Sequence, residues 1–531
     1  MKSNLPYSKL AASLLLGSAL SMGAASPVLA ETEITAVMQA PLRSLDPTIT
    51  TAYVLRNYGY MVYDTLFSTD ANGEIQPQMV DTYEVSDDGK TYTFKLRDGL
   101  KWHDGEPVTA ADCIASIKRW GKVDSMGQVM LDLTTSIDEV DDNTFSMTFE
   151  TDTNIALRAF AKAGSPVAFM MPKRVAETST SEAITESIGS GPYKFVADEF
   201  KPGVSAQFVK NEDYIPRDEE ASSLAGGHVV NVDKVRWVAM PDSMTSINAL
   251  KSGEIDYIEQ APYDLLSLVE ADPDLKIIKS IPQGGVPVMR INHVQPPFDN
   301  KLVRQAALAA IDQEQIMKAN IGNDEYYTHC GSVYGCDTQY GTDAGTEDLI
   351  KANPEKSKAL LEEAGYDDTP VAILQPTDFA NAGGSFVPVI AQELREGGFK
   401  VDIKAMDWQT VGSRRTSQKP VSEGGWNIFT TYITLTDLAD PLSNYTVAAN
   451  GDGAWFGWPT VDAIEEARQK FATSSDDDEQ AELATSIQEM ALDEGVIAPL
   501  GQFSVAAAAS SKLDNILDAP VPVFWNMTKS D

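Results

Sequence analysis

Between Lys90 and Cys113 the chain reads KTYTFKLRDGLKWHDGEPVTAADC, and this one stretch dictates a strand, two turns and a capped helix in succession. Tyr92, Phe94 and Leu96 alternate with Thr93, Lys95 and Arg97, the period-two pattern of a strand with one buried face. Asp98-Gly99 turns the chain, and Asp104-Gly105-Glu106-Pro107 turns it again. Thr109 then stands as N-cap of a helix opening on Ala110-Ala111-Asp112, with an acid in its first turn where the helix dipole favours one.

The N-terminus predicts an export leader. Lys2 and Lys9 supply the positive region, Leu10 to Met22 the apolar one, and Val28-Leu29-Ala30 a small-residue cleavage site, so residues 1–30 are expected to be removed. The apolar run is too short for a membrane anchor, and no cysteine stands at the cleavage point to carry a lipid. A soluble exported protein in a Gram-negative periplasm is expected. The chain of 531 residues exceeds what one core organises, so at least two lobes are expected.

The net charge of −37 becomes −39 once the two leader lysines are lost, which argues against nucleic acid and anionic membranes as partners. It fits either a taste for cationic solutes or plain solvation in salty surroundings. Of the three cysteines, Cys330 and Cys336 flank a Gly-rich loop and are expected to pair in an oxidising compartment. The neighbouring His329 leaves a metal site as the other reading, although two cysteines and one histidine at this spacing match no zinc pattern. Cys113 is expected to be a buried free thiol.

Further motifs follow in order: Ser44-Leu45-Asp46-Pro47, Tyr63-Asp64-Thr65-Leu66, Ile188-Gly189-Ser190-Gly191-Pro192-Tyr193, and Ala249 to Asp256 (ALKSGEID). Pro297-Phe298-Asp299 with Val303-Arg304-Gln305-Ala306 and Ala310-Ile311-Asp312 comes next, then Ala359 to Tyr366 (ALLEEAGY). Each has a structural reading of its own: Gly253 and Gly365 as helix C-caps, Pro192 at the start of a strand. Together with the HDG turn and the VTAAD helix, this series resembles the solute-binding proteins of peptide-type ABC importers, the dipeptide/oligopeptide/nickel-binding family, over nearly all of the chain after residue 30.

The resemblance implies an α/β, two-lobed periplasmic binding protein fold with an inserted subdomain and a ligand cleft at the hinge. Residues 31–60, 187–285 and 497–531 would form the first lobe, 61–186 the insertion and 286–496 the second lobe. Ile281 to Val288 and Val496 to Gly501 read as the crossing strands, and Ser474 to Glu479 as a solvated connection between helices. The implied site residues lie on both sides. Thr51 and Tyr53 would line the cleft from the first lobe, with Trp408 and Trp426 as aromatic walls or else ordinary core. Asp437, three before Asp440-Pro441, would pair with a peptide α-ammonium or else cap a helix. Arg290 would take a ligand carboxylate bidentately or else pair with a surface acid.

Catalytic signatures are missing from the sequence: no GxSxG elbow, no HExxH, no Walker loop. His103, in the HDG turn, is expected to be structural. No enzyme activity and no cofactor are expected. The expected role is periplasmic capture of a small solute, a short peptide first and an opine, sugar, betaine or metal chelate otherwise, for an inner-membrane ABC permease, by a monomer. A secreted hydrolase and a chaperone are the readings from other classes; the second would want a broad apolar surface.

Overall fold

The computed structural model describes residues 31–347, 349–379 and 383–530. The expected leader lies outside them, and none of their helices is long and apolar enough to cross a membrane.

A mixed sheet of twelve strands forms the frame. At one end lie the parallel strands Val401–Met406 and Val371–Pro376, then Ile428–Thr434. At the other lie Glu33–Val37, Lys234–Val238, Ser205–Lys210 and Tyr193–Phe195. The two ends are joined by the seventeen-residue strand Leu275–Ile291 and by Gln502–Ser510, which run antiparallel beside each other. Leu275–Ile291 pairs with Gln502–Ser510 over its first part and with Ile428–Thr434 from Gly285 onward, and a short strand Ile497–Pro499 flanks its end. The first of these joining strands contains the expected segment Ile281 to Val288; the second begins just after the expected segment Val496 to Gly501, which holds only the short strand Ile497–Pro499. The connection expected at Ser474 to Glu479 is shorter: one helix ends at Thr473 and the next spans Asp477–Asp493, so Glu479 lies in its first turn.

A separate four-stranded antiparallel sheet falls within 61–186, in the order Val80–Val85, Thr91–Leu96, Thr144–Phe149, Thr134–Asp141. Tyr92, Phe94 and Leu96 point into its core, as their alternation requires. Thr109 and Asp112 form a capping box at the head of the helix Ala110–Trp120, and Cys113 is buried on that helix as a free thiol.

The sequence motifs converge on one structural junction. The turn Gly189-Ser190-Gly191 lies so close to Val62 that a Cβ on Gly189 would stand 1.9 Å from the Val62 carbonyl oxygen. Ser190 and Tyr214 donate hydroxyl hydrogen bonds of 3.3 and 3.1 Å to Asp64, and burial holds that carboxyl up at about 6. His103 reaches the same turn: its backbone N–H donates to the Gly189 carbonyl at 2.8 Å, and its Nε2 lies 3.0 Å from the Gly191 carbonyl. Burial pulls the imidazole down to about 4, so it stays neutral, which suits a structural tie. Nearby, Asp46 is fully buried and takes a two-pronged ion pair from Arg119, at 3.2 and 2.7 Å, plus the Ile184 and Thr48 N–H groups. Gly253 and Gly365 end their helices in the left-handed conformation at φ 74° and 69°.

Cys330 and Cys336 are disulfide-bonded. His329 faces Glu314 at 2.8 Å, and among the described residues no cluster of ligating side chains could hold a metal ion.

Candidate ligand cleft

The helix Trp408–Arg414 is capped by Asp407, whose carboxylate accepts the Thr410 N–H at 3.1 Å. Trp408 opens this helix and Arg415 closes it. Seven residues apart, they share a helical face and turn toward the strand Ile428–Thr434. Opposite them, Thr51 and Ala52 lead into the helix Tyr53–Val62. Between these walls lies a cavity of about 40 Å³, lined by Gln39, Thr51, Tyr53, Trp408, Arg415 and Tyr432, with Phe379, Tyr445 and Trp455 completing it. It holds a few water molecules at most. A larger groove of about 480 Å³ shares Gln39 and Phe379 with it and runs past Tyr263, Lys318 and Asp378.

Hydrogen bonds fasten the two walls together. The Tyr53 hydroxyl accepts the Thr434 N–H at 2.8 Å and donates to Asp437 Oδ2 at 2.8 Å. The Tyr432 hydroxyl donates to Gln39 at 3.0 Å and accepts from Gln260 at 2.6 Å. The two tyrosine rings meet at 5.5 Å. Burial first, and the Asp437 charge after it, holds the Tyr53 phenol well above its ordinary range, so it remains a donor.

Asp437 lies behind this wall and does not line the cavity. Its oxygens are engaged by Tyr53, by the Thr434 hydroxyl at 2.8 Å and by the Ser165 N–H at 2.6 Å, with Arg56 at 4.0 Å. In this arrangement the carboxylate that the resemblance pairs with an α-ammonium is engaged within the chain by three donors, with a guanidinium nearby. Gly164 permits the approach, since a Cβ there would sit 2.3 Å from Asp437 Oδ1.

Two other residues expected at the site are engaged inside the core. Arg290 is 0% exposed, and its guanidinium donates to the carbonyls of Phe456, Thr446, Val496 and Trp455, which consumes its fork inside the core. Trp426 is fully buried behind the cavity, where its indole N–H donates to the Arg415 carbonyl at 3.1 Å and so fixes that residue's backbone. Thr51, Tyr53 and Trp408 do line the cavity.

The residue missed by the sequence reading is Arg415. It is 7% exposed, and its guanidinium carbon sits 4.8 Å from the Phe456 ring centre and 5.5–5.9 Å from those of Trp408, Phe429 and Trp455. Burial draws its pKa down to about 10, still leaving it charged at neutral pH. The available signals were the i, i+7 spacing from Trp408 and the WFGWP segment, Trp455 to Pro459, which supplies two of its rings.

The model for bacterial extracellular solute-binding proteins, family 5 Middle, matches residues 74–455. A "probable peptide ABC transporter periplasmic-binding protein" of Sinorhizobium fredii is 40% identical over 493 residues, covering 92% of each chain. The dipeptide-binding protein DppE of Bacillus subtilis is 27% identical over 481 residues, 84% of this chain and 82% of that protein. Among solved structures, the DppA of Helicobacter pylori in complex with the peptide STSA is 22% identical and aligns at a TM-score of 0.77, over 94% of this chain and 99% of that one. The agropinic-acid complex of AgaA from A. tumefaciens aligns at 0.78 with 21% identity, over 94% and 99%. The fold is thus the two-lobed periplasmic binding protein fold.

Proposed function

Because this chain belongs to the bacterial extracellular solute-binding proteins of family 5, we propose that it captures a short peptide in the periplasm and hands it to an ABC permease in the inner membrane. The lobes are those bounded at residues 31–60, 187–285 and 497–531 on one side and 286–496 on the other, with 61–186 inserted. They hinge on the two crossing strands, after a leader over residues 1–30 has been removed. The protein acts as a monomer and performs no covalent chemistry.

The observation that carries this reading is the cavity between Tyr53 and Trp408. It has aromatic walls and charged lining, yet at about 40 Å³ it is too small for any peptide. A solute enters only when the walls part, so the cleft has the geometry of a closing trap. The Tyr53–Asp437 and Gln39–Tyr432 bonds then act as latches made on closure. A relative that is 40% identical is named for peptide transport, which favours a peptide over other solutes.

The test is a thermal-unfolding screen of refolded, ligand-stripped protein against di- and tripeptides, their N-acetylated forms, amino acids, betaines, opines and oligosaccharides. A ligand at a hundred times its dissociation constant stabilises the fold by about 2.7 kcal/mol. Peptides are expected to raise the midpoint. Silence from peptides beside a response to another class would keep the transport role and overturn the substrate.

A further inference from the structure

Residues 330–336 are closed into a ring by the Cys330–Cys336 disulfide, and none of them lines the cavity. Each end of the ring is pinned by a glutamine side chain. Gln313 accepts the Cys330 N–H at 3.0 Å and donates to the carbonyls of Cys330 and Pro499, both at 3.0 Å. Gln502 accepts the Cys336 N–H at 3.0 Å and donates to Asp337 Oδ2 at 3.0 Å. Pro499 ends the short strand beside Leu275–Ile291, and Gln502 begins the strand Gln502–Ser510. The ring is therefore anchored where the chain returns into the frame.

Its other side bears on the helix Leu435–Leu438, which carries Asp437. Gly335 has φ 85°, and a Cβ there would stand 2.2 Å from Leu435 Cδ2, so both the left-handed backbone and the close approach require glycine. Asn444 is fully buried and donates through Nδ2 to the Val333 carbonyl at 2.9 Å and to the Leu438 carbonyl at 3.3 Å. One amide thus holds ring and helix together. We propose that the disulfide ring is a strut that positions the helix Leu435–Leu438, and with it Asp437, against the frame at Pro499 and Gln502. The inference rests on the reading of the Tyr53–Asp437 bond as a latch made on closure. Gly335, Asn444 and the two cysteines are positioning residues that act through Asp437. Opening the ring restores freedom to the loop, lets the helix shift and loosens the bonds to Tyr53 and Ser165. A disulfide that served only as a staple would act on the whole fold, through the unfolded chain.

The experiment is residue-resolved hydrogen exchange on ligand-stripped wild type, on Cys330→Ser combined with Cys336→Ser, on Gly335→Ala and on Asp337→Ala. The reporters are the N–H groups of Thr434 and Ser165, bonded to the Tyr53 hydroxyl and to Asp437 Oδ1. The references are the N–H groups of Val235 and Trp237, buried in a strand paired on both sides. The double serine variant and Gly335→Ala are expected to speed the reporters by about ten-fold and leave the references within about two-fold. Asp337→Ala, at an exposed anchor, is expected to give the same pattern with smaller amplitude. Equal acceleration of reporters and references would make the ring a staple and overturn the proposal. Reporters that keep the wild-type rate would overturn it too. If the double serine variant does not fold, the other two keep the disulfide and decide the case by the same comparison. The latch itself is read in wild type. Reporters protected as strongly as the references would overturn closure at Tyr53–Asp437, while their acceleration in the variants would still sustain the strut.

Discussion

The junction around Gly189 and the cleft around Arg415 are both buried and polar, but they settle their polar groups in opposite ways. At the junction Asp46, Asp64 and His103 have their partners in the chain. At the cleft the Arg415 Nε and the Trp455 indole N–H have none. The charged groups of the junction are bonded within the chain, whereas these two donors of the cleft are not. Substitutions should therefore divide cleanly: the junction governs stability, the cleft governs affinity.

The hardest blow to that division would come at Asp46. Asp46→Ala leaves the buried Arg119 without its counter-ion and should cost ~3–5 kcal/mol in urea unfolding. The ligand preference of whatever folded protein remains should be unchanged; altered ligand preference would blur the comparison. Next in size, Gly189→Ala forces a methyl into the Val62 carbonyl and should cost ~1–3 kcal/mol, again without touching ligand selectivity.

On the other side, Asp437→Asn should weaken a free-amine peptide and its N-acetylated form by the same factor, roughly ten-fold, because a closure latch is lost rather than an ammonium contact. Calorimetry that found only the free-amine form affected would restore the ammonium pairing. Trp408→Ala, at a half-buried ring of the wall, should reduce affinity while moving stability by less than ~1 kcal/mol.

The last expected effect is read from a pH profile and concerns a residue in neither region. Glu393 is buried with Oε1 unpartnered, and burial pushes its carboxyl up to about 8. The folded state then holds a proton that the unfolded chain has released. Its contribution to stability therefore falls as pH rises from near 4.5 toward 8, and levels off above that. Glu393→Gln should flatten that part of the profile in denaturant melts across the range.

The same contrast explains what could be read from the sequence. The strand at Tyr92, the capping box at Thr109 and Asp112, the C-caps at Gly253 and Gly365 and the pairing of Cys330 with Cys336 all follow from neighbours close in the chain. Motif residues of that kind constrain backbone, so they carry fold and family together. The cleft is different. Arg415 acquires its character from Phe429, Trp455 and Phe456 and from the lack of an acid, and none of these is visible as local spacing. Arg290 was attractive as a charge before Asn292 at the start of the second expected lobe, and its guanidinium is bonded to four carbonyls that only the folded chain assembles. Asp437, expected as a charged position of the site, is bonded by residues as distant as Tyr53 and Ser165.

The shared strand Gln502–Ser510 has a consequence for the order in which the molecule is made. It pairs with Tyr257–Ile258 on one side and with Leu275–Ile291 on the other, and both partners come long before it in the chain. Both partner strands are therefore made long before the frame can close. Until then Tyr257–Ile258 and Leu275–Ile291 each present an edge with no neighbour on that side. Such long-range pairing folds late and slowly. Completion of the sheet becomes the final act of folding, and the nascent chain stays unlocked for most of its synthesis.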